Sequence, residues 1–302
     1  MRTVKAMDLC AGAGGWACAA AGLPVEIVAA VDFWEPALRT YGLNWPATRT
    51  ILGDVRDPAI QGQIERLAEQ WKVQLLLGAI PCQWLSLRRN IGNAPGSREL
   101  QEERRTLRAV LGLVERIRPR WWCLEDVKGL VKELPPGTPW IQLDSADFSA
   151  QSRKRIYVGE FPRPPGVGPL LTPPCQHLMR DHLRPGPFRI GTRVSGRKVV
   201  SSDAFSPSTV AGAYPDRKSP TLCCLSSRRD AELVVVEPSL PGGMRQLEWQ
   251  EAARLQGFPE EYLFYGSPTD VWEQIGQAIQ IDTGHAILAE IVREAGLQEQ
   301  RQ

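Results

Sequence analysis

Five short apolar runs punctuate the first 160 residues: Val4–Leu9, Ile27–Val31, Thr50–Leu52, Val73–Leu77 and Trp121–Leu124. Each is closed by a polar or glycine-rich turn, the pattern of strands buried on both faces. Between them, apolar positions recur at helical spacing. Ile60, Ile64, Leu67 and Trp71 form one such series, and Leu107, Val110, Leu111, Val114 and Ile117 another, stopped by Pro119. Alternation of this kind predicts a doubly wound, mostly parallel α/β sheet with helices on both faces.

From Phe161 to Gly243 the texture changes. Prolines crowd between short β-like runs such as Leu233–Val236, and no long helical pattern appears. Leu247–Gln256 and His285–Val292 then return to helical spacing, so the chain is expected to finish back on the first domain. The expected division is a first domain of residues 1–161 completed by 268–302, and a smaller, loop-rich second domain of residues 162–267. Charge sharpens that division. The chain as a whole is only +2, yet residues 151–230 hold 14 Lys/Arg against five Asp/Glu, which leaves the remainder negative. Most of the basic residues are arginines, whose planar fork suits phosphates and base edges. A basic second domain is therefore expected, with a solvated surface as the plainer alternative.

Other features mainly exclude. No run of eighteen apolar residues exists, so no spanning helix is expected. Met1-Arg2-Thr3-Val4 leads straight into a strand without a signal-like apolar region, giving the expectation of a cytoplasmic protein. Seven cysteines, at 10, 18, 82, 123, 175, 223 and 224, form no paired C-x-x-C pattern. Free thiols and no metal site are expected; Cys175, His177, Cys223 and Cys224 match no common zinc spacing.

The ends of the strands carry the chemistry. After the first come Asp8-Leu9-Cys10-Ala11-Gly12-Ala13-Gly14-Gly15 and a small-residue helix, a turn that lets a ligand approach backbone amides closely. Asp32 ends the second strand and Asp54 follows the third. Acids after three consecutive strands suit a nucleoside with ribose hydroxyls and an exocyclic amine, and suit a pyrophosphate poorly. Tight turns alone also need glycine, so the pattern leaves both readings open. Strand four runs into Pro81-Cys82-Gln83, which puts the Cys82 thiol in the crevice beyond the strand ends, where a thiolate can attack an electron-poor carbon. A buried inert thiol is the alternative. Strand five ends in Glu125-Asp126, and Gln151-Ser152-Arg153-Lys154-Arg155 adds cations able to hold a polar substrate edge or lower the pKa of a thiol.

Taken together, these motifs closely resemble the C5-cytosine methyltransferase family. The matches are DLCAGAGG (8–15), VDFWEPALRTYGLNWP (31–46), GDV (53–55), GAIPCQWLS (78–86), EDV (125–127), QSRKR (151–155), RQLEWQEAARLQGFP (245–259) and QIGQAI (274–279). They stand in the family's order across nearly the whole chain. The resemblance implies a Rossmann-like, S-adenosylmethionine-dependent methyltransferase domain plus a target-recognition domain, with double-stranded DNA in the cleft between them. It implies that Cys82 adds to C6 of cytosine, that Glu125 engages N3 and the exocyclic amine, and that Arg155 holds O2 with Arg153 supporting the pocket. For the cofactor it implies Asp8, Cys10, Ala11, Gly12, Ala13, Gly15, Asp32, Phe33, Asp54, Val55, Pro81, Leu107, Gln277 and Ala278. For DNA it implies Ser86, Arg88, Arg89, Thr221, Arg228 and Arg229, the first three within a segment, Trp84 to Gln101, that closes behind an extruded base. A monomer, of prokaryotic or phage origin, with a cognate restriction endonuclease as a further partner, completes the expectation.

The chain departs from the family at several points. Cys10 stands where a phenylalanine is usual, Gln277 where an asparagine is, Ala79 where a glycine is, and Asp126 where an asparagine stands beside the catalytic Glu, which removes a donor. Ser149-Ala150 replace Gly and Pro. Only nine residues separate Leu130 from Trp140, too few for a helical crossover, so a family helix is expected to be missing. Cys10 and Gln277 leave room for a modified sulfonium donor bearing a carboxylate. An RNA acceptor and a catalytically inactive DNA-binding module are the remaining alternatives.

Overall fold

A computed structural model describes residues 3–81, 98–149, 151–164, 189–194, 231–236 and 244–299. Strand β1 (Val4–Leu9) lies between β2 (Val25–Asp32) and β4 (Leu75–Ala79), paired in parallel with both. This explains its near-continuous apolar run: a central parallel strand is covered on both faces. Adding β3 (Arg49–Leu52), β5 (Trp121–Asp126), β6 (Trp140–Asp144) and β7 (Lys154–Val158) gives a seven-stranded sheet of order β3-β2-β1-β4-β5-β7-β6. The order reverses between β1 and β4, so the crevice beyond their carboxyl ends is where a ligand binds in such a sheet.

The two faces are separately packed. Along β5, Trp121 and Cys123 enter one apolar cluster while Trp122 and Leu124 enter the other, and Leu75 and Leu77 alternate with Leu76 in β4 in the same way. The first cluster is covered by α1 (Gly15–Ala20), α5 (Trp249–Gln256), α6 (Pro268–Gln277) and α7 (Ile281–Glu299). The second is covered by α3 (Pro58–Trp71) and α4 (Arg98–Ile117), through Ile64, Leu67, Leu107, Val110 and Leu113. These are the doubly wound, mostly parallel layers that strand–helix alternation predicts. The chain does finish on this domain: the His285 ring nitrogen Nδ1 lies 2.9 Å from the Ala19 carbonyl, and Gly284 packs against Ala19 and Trp16. Residues 247–267, placed with the second domain on sequence, contribute Leu247, Ala252, Phe258 and Tyr262 to the same cluster as α1.

Only β7 runs against the sheet, antiparallel to both β5 and β6. The short β6–β7 connection, residues 145–153, accounts for it. A single 3-10 segment, Lys128–Glu133, replaces a crossover helix; β6 lands at the outer edge, and β7 returns between it and β5. The sequence pattern does not reveal β6 or α2 (Glu35–Asn44), because β6 is a half-exposed edge strand and α2 buries only Ala37, Leu38, Thr40 and Tyr41. In the basic region, β8 (Arg189–Val194), β9 (Ala231–Val236) and β10 (Met244–Gln246) form a separate antiparallel sheet of order β10-β9-β8. The strand expected at Leu233–Val236 is β9.

Candidate active site

The turn after β1 is tight and left-handed. Cys10 has φ 54°, Gly12 φ 53° and Gly14 φ 91°. A side chain at Gly12 would meet open space, whereas one at Gly14 would strike the Tyr262 hydroxyl at 2.7 Å. Glycine at 14 thus answers to packing, and Gly12 stays bare beside the strand ends. Gly15 lacks a side chain for packing too, since a Cβ would sit 3.0 Å from Ile279 Cγ1.

Asp32 organises this loop. One carboxylate oxygen accepts the Gly12 amide at 2.7 Å and the other the Trp34 amide at 2.8 Å. Burial pushes its pKa up, and the Trp34, Gly12 and Phe33 amides oppose the shift. Phe33 beside it is 63% exposed, an apolar ring left in the open next to a cavity of about 270 Å³. Cys10, Asp32, Phe33, Asp54, Val55 and Pro81 line that cavity from the strand ends. Arg56, Glu102, Glu103 and Thr106 complete it, the last three from α4. Arg56 Nε donates at 2.9 Å to both oxygens of Asp54, and the same guanidinium reaches Glu102.

The sequence did not single out these last four. Glu103 carried a usable signal: with Leu100, Leu107 and Val110 it holds a position on the apolar stripe of the helix, where a carboxylate is out of place. Leu107, expected at the cofactor, is instead buried in the core beneath α4, one position from the cavity-lining Thr106. Asp8 is fully buried, and neither of its carboxylate oxygens has a hydrogen-bond partner among the described residues. Desolvation, reinforced by Asp32, holds Asp8 well above the usual carboxylate range. Burial likewise raises the Cys10 thiol, so Cys10 faces the cavity as a neutral group. Ala11 and Ala13 are buried in the loop; the Ala11 amide bonds the Val31 carbonyl at 3.0 Å, and the Ala13 carbonyl accepts the Tyr262 hydroxyl. Gln277 and Ala278 lie at the end of α6, outside the cavity lining. Gln277 Nε2 donates to Glu273 at 2.7 Å.

The other wall is built by β5 and β7. Glu125 is almost wholly buried, and its Oε1 lies 3.1 Å from Nε of Arg155, whose side chain is 14% exposed. Strand register explains the pairing: Glu125 sits opposite Tyr157, so Arg155, two residues away, shares its face. The Glu125 carbonyl accepts the Ile80 amide at 3.3 Å, which ties the strand end to the chain entering Pro81. Pro81 in turn lines the cofactor cavity. Arg153, expected among the catalytic groups, is 2% exposed and donates through Nη2 to the carbonyls of Gly276 (3.1 Å) and Ala278 (3.2 Å). Gln256 Nε2 bonds the same Ala278 carbonyl at 2.7 Å, and Gln151 Nε2 reaches Gln256 at 3.1 Å. Arg153 therefore clasps the approach to β7 onto the end of α6, a supporting placement. Cys82, Ser86, Arg88, Arg89, Thr221, Arg228 and Arg229 lie outside the described residues.

Acceptors outnumber donors around the cavity, and apolar walls come from Val31, Val55 and Phe33. An adenosine fits this chemistry, with ribose hydroxyls toward Asp32 and an exocyclic amine toward Asp54. The fold and this cavity suit a Rossmann-like domain that binds a nucleoside-bearing cofactor. The sequence model for C-5 cytosine-specific DNA methylases matches residues 4–134 and 206–293, more than half of the chain. The type II methyltransferase M.HgiDI of Herpetosiphon aurantiacus is 32% identical over 306 residues, covering 92% of this chain and 91% of its own. M.NgoMIV of Neisseria gonorrhoeae, also a type II methyltransferase, is 25% identical over 95% of this chain and 96% of its own. Among solved structures, the Entamoeba histolytica methyltransferase EhMeth superposes with a TM-score of 0.65 at 14% identity, over 98% of this chain and 99% of its own. The chain belongs to the C-5 cytosine-specific DNA methylase family and is a DNA cytosine-C5 methyltransferase. Among the described residues, no helix is long and apolar enough to cross a membrane.

Proposed function

We propose that the enzyme methylates a cytosine extruded from duplex DNA, with Cys82 as nucleophile, Glu125 and Arg155 holding the base, and residues 162–244 reading the flanking sequence. One observation carries this reading: the buried Glu125–Arg155 pair is joined through the Ile80 amide to Pro81, the residue before Cys82 and a wall of the cofactor cavity. Nucleophile, base clamp and donor site then share one strand edge. Bound S-adenosylmethionine supplies an electrophilic methyl group on a cationic sulfur.

The Cys82 thiolate bonds C6, and the C5–C6 π electrons become available at C5. Glu125, protonated, passes its proton to N3 as the charge develops and then accepts from N3–H and the exocyclic amine, returning the proton when the thiolate leaves, while Arg155 holds O2. C5 takes the methyl as its bond to the cationic sulfur breaks and leaves a neutral thioether; the C5 proton then passes to water, and expulsion of the thiolate restores the aromatic ring and frees Cys82. Extruding the base costs a few kcal/mol, which phosphate contacts from the basic region offset. Asp32, Asp54, Glu102 and Glu103 would repel an added carboxylate, so unmodified S-adenosylmethionine suits the cavity better than a carboxylate-bearing analogue. The type II relatives suggest a role in protecting a short site from a cognate endonuclease.

The test is transfer of labelled methyl to mixed-sequence duplex DNA by wild type and Cys82→Ser, with mass spectrometry of the product nucleoside. A fall of at least ~10³-fold with cofactor binding retained is expected. Equal transfer by both proteins would remove Cys82 from the reaction. Label recovered in RNA but not in duplex DNA would change the acceptor.

A further inference from the structure

Asp126 follows Glu125 on β5. By the strand's period of two, its side chain enters the opposite face of the sheet, with Trp122 and Leu124 in the cluster beneath α4. It is fully buried. Oδ1 accepts the Val127 backbone N–H, whereas Oδ2 is buried with no hydrogen-bond partner among the described residues. Three charged groups act on it: Glu125 from its own strand, Glu103 from α4 and Arg155 from β7. Two of the three are negative, and the positive one is already paired with Glu125. An ionised carboxylate with one bare oxygen is strongly disfavoured in such surroundings. Burial first, and then the two carboxylates, hold Asp126 well above the usual carboxylate range.

We propose that Asp126 is a positioning residue that works as a neutral carboxylic acid. Its Oδ1 fixes the Val127 amide at the end of β5, and a proton on Oδ2 removes the charge that this buried, bare oxygen could not carry. The strand end it holds presents Glu125 to the base, so the consequence for catalysis rests on the role proposed for Glu125. Ionising Asp126 would place a third negative charge beside Glu103 and Glu125 and disturb that strand end. Activity should therefore fall as pH rises through the ionisation of Asp126.

The experiment compares the full chain with Asp126→Asn, which stays neutral at every pH. Two quantities are read across a pH series: the infrared difference spectrum and the rate of methyl transfer to duplex DNA. At neutral pH the wild-type minus D126N spectrum should contain the C=O band of a protonated carboxylic acid. The ratio of D126N to wild-type rates should climb with pH, by about tenfold per unit once Asp126 ionises. A purely structural role for Asp126 would leave that ratio flat. A missing band, or a flat ratio in an active preparation, overturns the proposal. The band does not depend on turnover, so a preparation that shows it yet methylates no cytosine supports the neutral acid and sinks the catalytic reading of Glu125.

Discussion

The two halves of the sheet's carboxyl edge use the same residue types in opposite ways. At the ends of β2 and β3, Asp32 is tied to backbone amides and Asp54 to a half-exposed arginine, and both face a cavity with lone pairs to offer. At the end of β5, Glu125 is buried against Arg155, and its neighbour Asp126 has no cation of its own among the described residues. An acid held by neutral amides beside a cavity is suited to accept from ribose hydroxyls. An acid paired with a guanidinium is aimed, ready for a base whose own charge shifts during reaction. Partners, more than residue type, divide the edge into a half suited to binding and the half proposed to react.

Glu125→Gln separates the halves most sharply. It keeps the shape but replaces an acid that can give and take a proton with an amide that cannot, so kcat should fall by about 10² to 10⁴ while calorimetric affinity for S-adenosylmethionine stays at the wild-type value. A comparable loss of affinity would erase the division. Arg153→Ala should act next most strongly, and through stability. It removes a buried guanidinium from the carbonyls of Gly276 and Ala278, with an expected cost of roughly 2 to 4 kcal/mol by denaturant unfolding. If unfolding is unchanged while kcat collapses, Arg153 touches substrate and belongs with the reacting half.

Much of the fold was legible because parallel central strands and amphipathic helices print their periods plainly. β1, β4 and β5 are near-continuous apolar runs, and Ile64 and Leu67 face the sheet as their spacing requires. β6 was not legible, since an edge strand with one face in water carries little hydrophobic signal. The same limit applied to the site. Cys10, Asp32 and Asp54 stand at strand ends and were legible there, and the family resemblance added Phe33, Val55 and Pro81; Glu102 and Thr106 reach the cavity from a helix with no such marker, and only Glu103 stood out on its apolar stripe. Arg153 supports the site through the Gly276 and Ala278 carbonyls, a destination that neither spacing nor residue type reveals.

On the binding half, Asp32→Ala should weaken S-adenosylmethionine binding by roughly 10- to 100-fold, since it removes an acceptor and leaves the Gly12 and Trp34 amides without partners. Methyl transfer at saturating donor should recover most of its rate, and a kcat that stays low would mean that the loop also positions the reacting half.

The smallest effect should come from Asp54. The Arg56 side chain holds its carboxyl below the ordinary value, so the ionised form is favoured in the folded state. The sign follows: the contribution is fully present above the unfolded pKa, near 4, and is lost as pH falls through the lower folded value. Both side chains are about a third exposed, and water and salt screen the pair, which limits it to about 1 kcal/mol or less. Asp54→Asn should therefore unfold slightly more easily than wild type at pH 7, with the gap closing as the solution is acidified below about pH 4 and narrowing in high salt. A gap that persists in acid would show that Asp54 stabilises the loop through hydrogen bonds an amide cannot copy. The binding half would then depend on geometry in the way proposed here for the reacting half.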